Sequence, residues 1–445
     1  MKFGGTSVAD PDAINRLIAL VRREQAPVVV VSALAKVTDQ LVAVARNAED
    51  GEAAKATETL RALLDRHISV ATAVTNASRE ATLAAVKAEF EELIGLVHAL
   101  AVLREVSPRS LDAVLSVGEL VSSKIVAAAL KDQGIPTTWV DARSVLVTDA
   151  EYNSAAPDMD ATRAKATTHI VPRTSHGDVV VLGGFIGSTP AGVTTTLGRG
   201  GSDYSAAIFG ASVDADEIQI WTDVDGMLTA DPRVVKQPRL VPQLTFSEAS
   251  ELAYFGAKVL HPSTILPAVD KNIPVRILNS RNAENRGTLI TADGVSADGA
   301  LTALACKRNV TVIDITSTRM LMAHGFLRRL FEVFERFKTP VDVVTTSEVS
   351  VSVTVDDTRR LDGILDNLRN FAQVNCEPEM AIICAVGENL RSDPTLFARA
   401  VTSLGRLPLR LVSQAASRRN ITFVLRDADV PQAMGQLHDA FFVER

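Results

Sequence analysis

The chain has 445 residues, enough for about two or three domains of ordinary size. Hydrophobic residues make up 47% and charged residues 22%, which excludes disorder as the main state. Lys and Arg number 46 against 53 Asp and Glu, and the resulting net charge of −7 argues against a predominantly basic nucleic-acid binder.

The N-terminal segment opens with Met1-Lys2-Phe3-Gly4-Gly5 and leads into a helix. Asp10 caps that helix and Pro11 takes its first position, while Ile14, Leu17, Ile18 and Val21 form one apolar stripe. Residues 27–32, Pro-Val-Val-Val-Val-Ser, predict a strand buried on both faces of a parallel sheet. From about 50 to 132 the chain is rich in Ala and Leu, with Pro108 as its only proline, and reads as several helices. Strand-like runs follow at 137–140, 178–182, 217–221 and 273–278, separated by helical stretches that include 203–211 and 247–257. This alternation predicts an α/β domain with a mainly parallel sheet and helices on both faces. A polar, turn-rich stretch around 279–299 places a boundary near 295.

The last third repeats itself with an offset of roughly 70 residues. The first copy has a helix at 326–337, the run Pro340 to Val344, an alternating strand at 349–355 and a helix at 358–371. The second has a helix at 395–404, the run Pro408 to Val412, a strand at 421–425 and a helix at 430–441. The expectation is two α+β units of the βαββαβ kind, at 296–378 and 379–445, with interleaving of the two left open. Cys306, Cys376 and Cys384 lack metal-like spacing and are too few for a disulfide framework, so they read as buried thiols. No apolar run reaches the ~20 residues that span a bilayer, and the N-terminus has no signal-peptide core, so the chain is expected to be soluble and cytoplasmic.

Three elements carry chemistry. Lys2 stands two residues before a Gly-Gly turn whose backbone N–H groups suit a phosphate. The second element, Thr194 to Asp203, contains Gly198-Arg199-Gly200-Gly201 and opens directly into a helix, where free N–H groups and the helix dipole make an anion site. The third, Trp221-Thr222-Asp223-Val224-Asp225-Gly226 with Asp231-Pro232-Arg233 beyond it, puts polar groups at the carboxyl edge of the sheet, where such sheets bind ligands. No Walker A pattern occurs, and no Gly-x-Gly-x-x-Gly follows the first strand. Trp221 reads as core.

These elements, with Ser116-Val117-Gly118-Glu119 and Phe255-Gly256-Ala257-Lys258-Val259-Leu260-His261-Pro262, resemble the aspartate kinase family in order and spacing, and the tandem repeat looks like its pair of ACT domains. The resemblance implies an amino-acid-kinase fold and transfer of the ATP γ-phosphoryl group to the β-carboxylate of L-aspartate, the entry to lysine, threonine and methionine synthesis. By motif match, Lys2 would stabilise the transferring phosphoryl group, Gly4 and Gly5 would supply backbone donors, and Asp203 would organise the lysine. Arg199 would bind the substrate α-carboxylate and Glu119 its ammonium, with Thr38 and Ser202 beside them. Thr222, Asp223, Arg233 and Lys258 would hold the nucleotide, with magnesium on its phosphates. The segment 320–348 resembles the lysine-sensitive members. It implies an L-lysine site from Met320, Gly325, Phe326, Leu327, Asp342, Thr346, Ser347 and Glu348, and a homodimer or homotetramer through the ACT units.

The chain departs from the family in places. Only Met1 precedes Lys2, so a central strand is missing or cut to a stub, and the lysine is expected to be poorly anchored. Asp225 and Leu228 replace a proline and a tyrosine of the nucleotide loop, and Ala323 replaces a serine two residues before Gly325. Alternative readings are another amino-acid kinase, a catalytically weakened amino-acid sensor, and the kinase module of a bifunctional polypeptide. Paired Arg199 and Glu119 favour an unmodified amino acid over an N-acetylated one.

Overall fold

Valine-rich segments too short for helices pair side by side to form the central sheet. In a computed structural model, residues 1–256, 262–293, 301–317, 324–414 and 417–443 are described. The first unit comprises Met1–Met227, Pro242–Phe246 and Val259–Gly294, and the second Leu228–Val241, Ser247–Lys258 and Val295–Arg445. The contacts thus assign 228–241 and 247–258 to the second unit, two stretches that a single cut at 295 leaves with the first.

The chain order of the first unit begins β1 (Lys2–Phe3), α1 (Pro11–Val21), β2 (Val28–Val31), α2 (Val37–Glu49), α3 (Ala53–Val74), α4 (Arg79–Leu103), α5 (Pro108–Asp132) and β3 (Thr137–Trp139). It continues α6 (Met159–His169), α7 (Val171–Ser175), β4 (Val179–Gly183), β5 (Ile186–Ser188), β6 (Thr194–Thr196), α8 (Gly201–Ser212) and β7 (Ile218–Thr222). Then come β8 (Gln243–Thr245), α10 (Leu266–Asp270), β9 (Val275–Asn279) and β10 (Thr288–Thr291), while the intervening α9 (Phe246–Tyr254) belongs from Ser247 onward to the second unit. Eight strands lie in the order β3-β4-β2-β1-β7-β9-β10-β8, parallel except for β9 against β10. Every residue of β4 is buried, which requires cover on both faces. α5 packs on β2, β3 and β4, and α8 on β1, β2 and β7. The Asp10 carboxylate caps α1 by accepting from the Ala13 N–H at 2.8 Å. Helix α5 is long and apolar enough to cross a membrane, but Ser116, Glu119, Ser122 and Lys124 interrupt it and most of it is buried within the unit.

The two-residue β1 is central and paired on both sides, Lys2 opposite Val30 and opposite Ile220. The expected loose lysine is corrected here. The Met1 amine donates to the Val28 carbonyl at 2.8 Å, Phe3 is fully buried and stacks on Trp221, and Lys2 is only 8% exposed. The short strand fills part of the gap between β2 and β7. The rest is a cleft of about 490 Å³ lined by Met1, Val28, Val30, Phe209 and Ile218.

The second unit contains β11 (Leu301–Thr316), α11 (Phe326–Arg336), β12 (Val344–Thr346), β13 (Ser350–Val355) and α12 (Leu361–Arg369). It continues with β14 (Gln373–Gly387), α13 (Pro394–Ser403), β15 (Leu411–Ser413), β16 (Asn420–Arg426) and α14 (Val430–Phe442). Its six strands form one antiparallel sheet, β12-β13-β11-β14-β16-β15. The runs beginning at Pro340 and Pro408 pair only beyond their prolines, as β12 and β15, because proline offers no ladder donor. The long strands β11 and β14 serve two cores. Leu304 and Ile383 pack with α13 and α14, whereas Ile313 and Cys376 pack with α11 and α12. A bulge between Lys307 and Val310, with Asn309 at φ 56°, marks the changeover.

His67 of α3 is buried against Phe90 and gives Nδ1 to the Leu63 carbonyl, while Nε2 has no partner. Burial pulls its imidazole down to about 4 from 6.5. The unfolded chain therefore takes up the proton first as pH falls. Stability is complete above about pH 6.5 and declines toward pH 4, by about 3 kcal/mol in all. Thermal melts of His67→Leu are expected to show a shallower loss than wild type over that window, and identical pH slopes would contradict the assignment.

Candidate active site at the carboxyl edge of the parallel sheet

Parallel strands deliver their following loops to one edge, and five loops of the first unit meet there. Lys2 leaves the sheet from β1, and its Nζ lies 2.7 Å from Asp203 Oδ1. The contact is a close ion pair without aligned hydrogen-bond geometry. Asp203 sits in the first turn of α8, where the helix dipole favours a carboxylate. Gly4 donates to the Trp221 carbonyl at 3.1 Å, and a Cβ on Gly4 would sit 3.5 Å from Lys2 Nζ. Gly5 lies so close to Ala33 that a Cβ would come within 3.0 Å of its carbonyl oxygen.

Glu119 projects from the middle of α5. Its carboxyl is buried, Oε2 has no partner, and the Ala33 backbone N–H donates to it. Burial pushes it up to about 8, against the opposing pull of the Ala33 N–H and the charge of Lys2. That shift favours the neutral acid near neutrality. Thr38 is half-buried in the first turn of α2, which begins just past this loop.

Several supporting residues escape sequence reasoning. Gly183-Gly184 ends β4, and the two glycines let separate elements converge. A Cβ on Gly183 would meet the Glu119 carbonyl at 3.0 Å, and one on Gly184 would meet Ser202 Cβ at 2.8 Å. Phe185 follows in left-handed conformation at φ 66°, held by its N–H donating to Ser205 Oγ at 2.8 Å. Asp112 of α5 is fully buried and gathers the 194–203 loop. It accepts from Thr196 Oγ1 at 2.6 Å, from the Thr196 N–H at 3.0 Å and from the Asn153 N–H at 3.1 Å. Arg66 of α3 ties down the loop after β2 by donating to the Ala35 carbonyl at 2.8 Å and the Ala9 carbonyl at 3.2 Å. A Gly-Gly pair directly after the apolar run Val179-Val180-Val181-Leu182 is the one signal that points to this convergence.

Arg199 is exposed on the loop and makes no ion pair with the described residues, which leaves its fork available to an anion. Thr222 Oγ1 donates to Asp223 Oδ1 at 3.3 Å. Asp225 accepts from Asn279 Nδ2 at 2.7 Å and so ties this loop to the end of β9. Trp221 is core, as its composition context predicts. In the second unit, Arg233 is exposed and already forked onto Asp231, with Nη2 2.6 Å from Oδ2. Lys258, His261, Met320 and Ala323 lie outside the described residues.

Also in the second unit, Gly325 at φ 86° caps α11, and Phe326 packs edge-on against Phe371. Asp342 is engaged by Lys307 and Tyr254. Ser347 Oγ pairs with Ser350 Oγ at 2.7 Å across the turn from β12 to β13, and Thr346 and Glu348 are exposed.

The first unit thus brings a lysine–carboxylate pair, two Gly-rich turns and a buried carboxyl to one sheet edge. Comparison with known proteins agrees. The model of the amino acid kinase family matches residues 1–279, and an ACT domain model matches 383–441. The chain is 36% identical to the lysine-sensitive aspartokinase 3 of Escherichia coli over 99% of its length and 98% of that protein. It is also 36% identical to the chloroplastic aspartokinase 1 of Arabidopsis thaliana, over 99% of this chain and 80% of that one. The crystal structure of E. coli aspartokinase III with aspartate and ADP superposes with a TM-score of 0.85 over 99% of both chains at 36% identity. Its complex with lysine and aspartate gives 0.84 over 99% of this chain and 98% of that one at 35% identity. The chain belongs to the aspartokinases, within the amino acid kinase family.

Asp112→Ala leaves Thr196 and Asn153 without their buried acceptor. A loss of about 3 kcal/mol in urea-unfolding stability is expected. A loss below about 0.5 kcal/mol, the range of ordinary surface substitutions, would show that Asp112 does not hold the loop.

Proposed function

We propose that the chain transfers the γ-phosphoryl group of ATP to the β-carboxylate of L-aspartate, giving ADP and 4-phospho-L-aspartate, and that L-lysine inhibits it through the second unit. The observation that carries the catalytic assignment is the Lys2–Asp203 pair at the carboxyl edge of β1 and the start of α8. Lys2 neutralises charge on the phosphoryl group in flight, and Asp203 fixes the direction of the ammonium. With the Gly4 N–H already given to the Trp221 carbonyl, the Gly5 N–H and those at the start of α8 donate to the phosphate oxygens. Arg199 takes the substrate α-carboxylate, and Glu119 takes its ammonium, with Thr38 and Ser202 alongside. Thr222 and Asp223 of the first unit hold the nucleotide.

Among the described residues no group of three or more His, Cys, Asp or Glu side chains is placed to cage a metal. A magnesium ion fits here as the companion of ATP, held by phosphate oxygens and water, where it shields phosphate charge. The lysine reading rests on the likeness to a relative named as lysine-sensitive and on the residues around Asp342. Assembly into a homodimer or homotetramer through the ACT units is part of the same proposal. β12 is an edge strand with an exposed Val344, a surface suited to pairing with a second copy.

Aspartyl-hydroxamate formation with ATP and magnesium tests the catalytic roles. Lys2→Met is expected to lower kcat by about a hundred- to a thousandfold with a smaller change in KM. Glu119→Gln is expected chiefly to raise the KM for aspartate. Because the Glu119 carboxyl is held at about 8, the wild-type KM should fall as pH rises from about 6.5 to 8.5 and stay flat in the variant. Full turnover in Lys2→Met would remove the phosphoryl-stabilising role.

A further inference from the structure

Within the second unit, Lys307 is the residue at the β11 bulge, where the irregular backbone re-aims its side chain. Its Nζ lies 2.7 Å from Asp342 Oδ1 and 3.2 Å from Asp356 Oδ2, and it stands over the Tyr254 ring at 4.8 Å from the centroid. Tyr254 also donates its hydroxyl to Asp342 Oδ1 at 3.2 Å. The Asp342 side chain is 2% exposed, and its second oxygen, Oδ2, is buried without a partner. One cation thus serves two carboxylates, leaving one negative charge over and a buried oxygen that can accept a further hydrogen bond.

We infer that Lys307 is a tethered ammonium that competes with the amino-acid inhibitor's ammonium for Asp342, and thereby sets the inhibitor concentration to which the enzyme responds. The inference rests on the reading of Asp342 as part of the inhibitor site. An alkylammonium is the ligand chemistry that the unused Oδ2 and the surplus negative charge accept. While Lys307 holds Oδ1, the incoming cation meets a half-neutralised carboxylate and a like charge close by, and both weaken its binding. Asp356 draws Lys307 partly away from Asp342. The two substitutions therefore act in opposite directions: removing the lysine charge sensitises the enzyme, and removing Asp356 commits Lys307 to Asp342 and desensitises it.

The test uses the full chain, with L-lysine as the probe. Half-inhibition of aspartate-dependent turnover is read against each variant's own uninhibited rate, and lysine binding is measured in parallel by calorimetry. Lys307→Met keeps most of the stem and is expected to lower the half-inhibiting concentration by about tenfold. Asp356→Asn alters a carboxylate 39% exposed, which makes misfolding a poor explanation, and is expected to raise that concentration several-fold. Asp342→Asn controls for the underlying reading and should abolish inhibition. If Asp342→Asn abolishes inhibition while Lys307→Met and Asp356→Asn leave it unchanged or move it in the opposite senses, the tethered competitor is overturned and the inhibitor site stands. If the wild type neither binds lysine nor responds to it, both fall.

Discussion

A lysine ammonium must be held nearly out of water at the centre of a sheet edge, and the architecture of the first unit follows from that demand. Lys2 is only 8% exposed and pairs with one carboxylate, Asp203. A buried charge of this kind is tolerated only when its partner is fixed. Asp203 is fixed because it starts α8, and the glycines at 183 and 184 allow α8 and α5 to approach the same point. Phe3 stacked on Trp221 and the pairing of β1 on both sides hold the other end of the lysine. Asp203 thus holds the lysine tip, and the strand pairing and the Phe3–Trp221 stack hold its base.

The two buried carboxyls on α5 show how one helix supports two tasks. Asp112 is saturated with hydrogen bonds from Thr196 and Asn153, and it organises the loop that ends in Asp203. Glu119 lies two turns further along, and its Oε2 is unsatisfied. An unsatisfied buried oxygen costs stability, and such costs persist where function uses them. In its proposed role the cost is recovered when an ammonium arrives. The second unit repeats the pattern at Asp342, where an internal lysine occupies one oxygen and leaves the other unused.

Much of the fold was legible because its signals are local. The α1 stripe and cap, the valine strands and the alternating strand at 349–355 each follow from nearest-neighbour chemistry. Lys2, Arg199 and Asp203 stood out because their side-chain types in Gly-rich loops suit an anion, whereas Glu119 was reached only through the resemblance of Ser116–Glu119 to a family motif. Other features were hidden because they depend on pairs far apart in sequence. Nothing near Asp112 announces that it will hold Thr196, 84 residues on. The anchoring of Lys2 was underestimated because a two-residue strand looks weak until both its neighbours are known. The boundary at 295 could not anticipate that 228–241 and 247–258 pack with the second unit, since their composition does not differ from the surrounding α/β sequence. Lys307 reaches Asp342 only because a bulge in β11 turns it, and a bulge leaves little trace in sequence.

Aspartate binding at pH 7 in the presence of ADP and magnesium, followed by calorimetry in buffers of different ionisation enthalpy, measures the protons released as the site closes. With Glu119 held protonated by burial and ionised by the substrate's ammonium, release approaching one proton is expected in the wild type and none in Glu119→Gln. Binding without proton release in the wild type would contradict the idea that a neutral, buried carboxyl waits for the zwitterion.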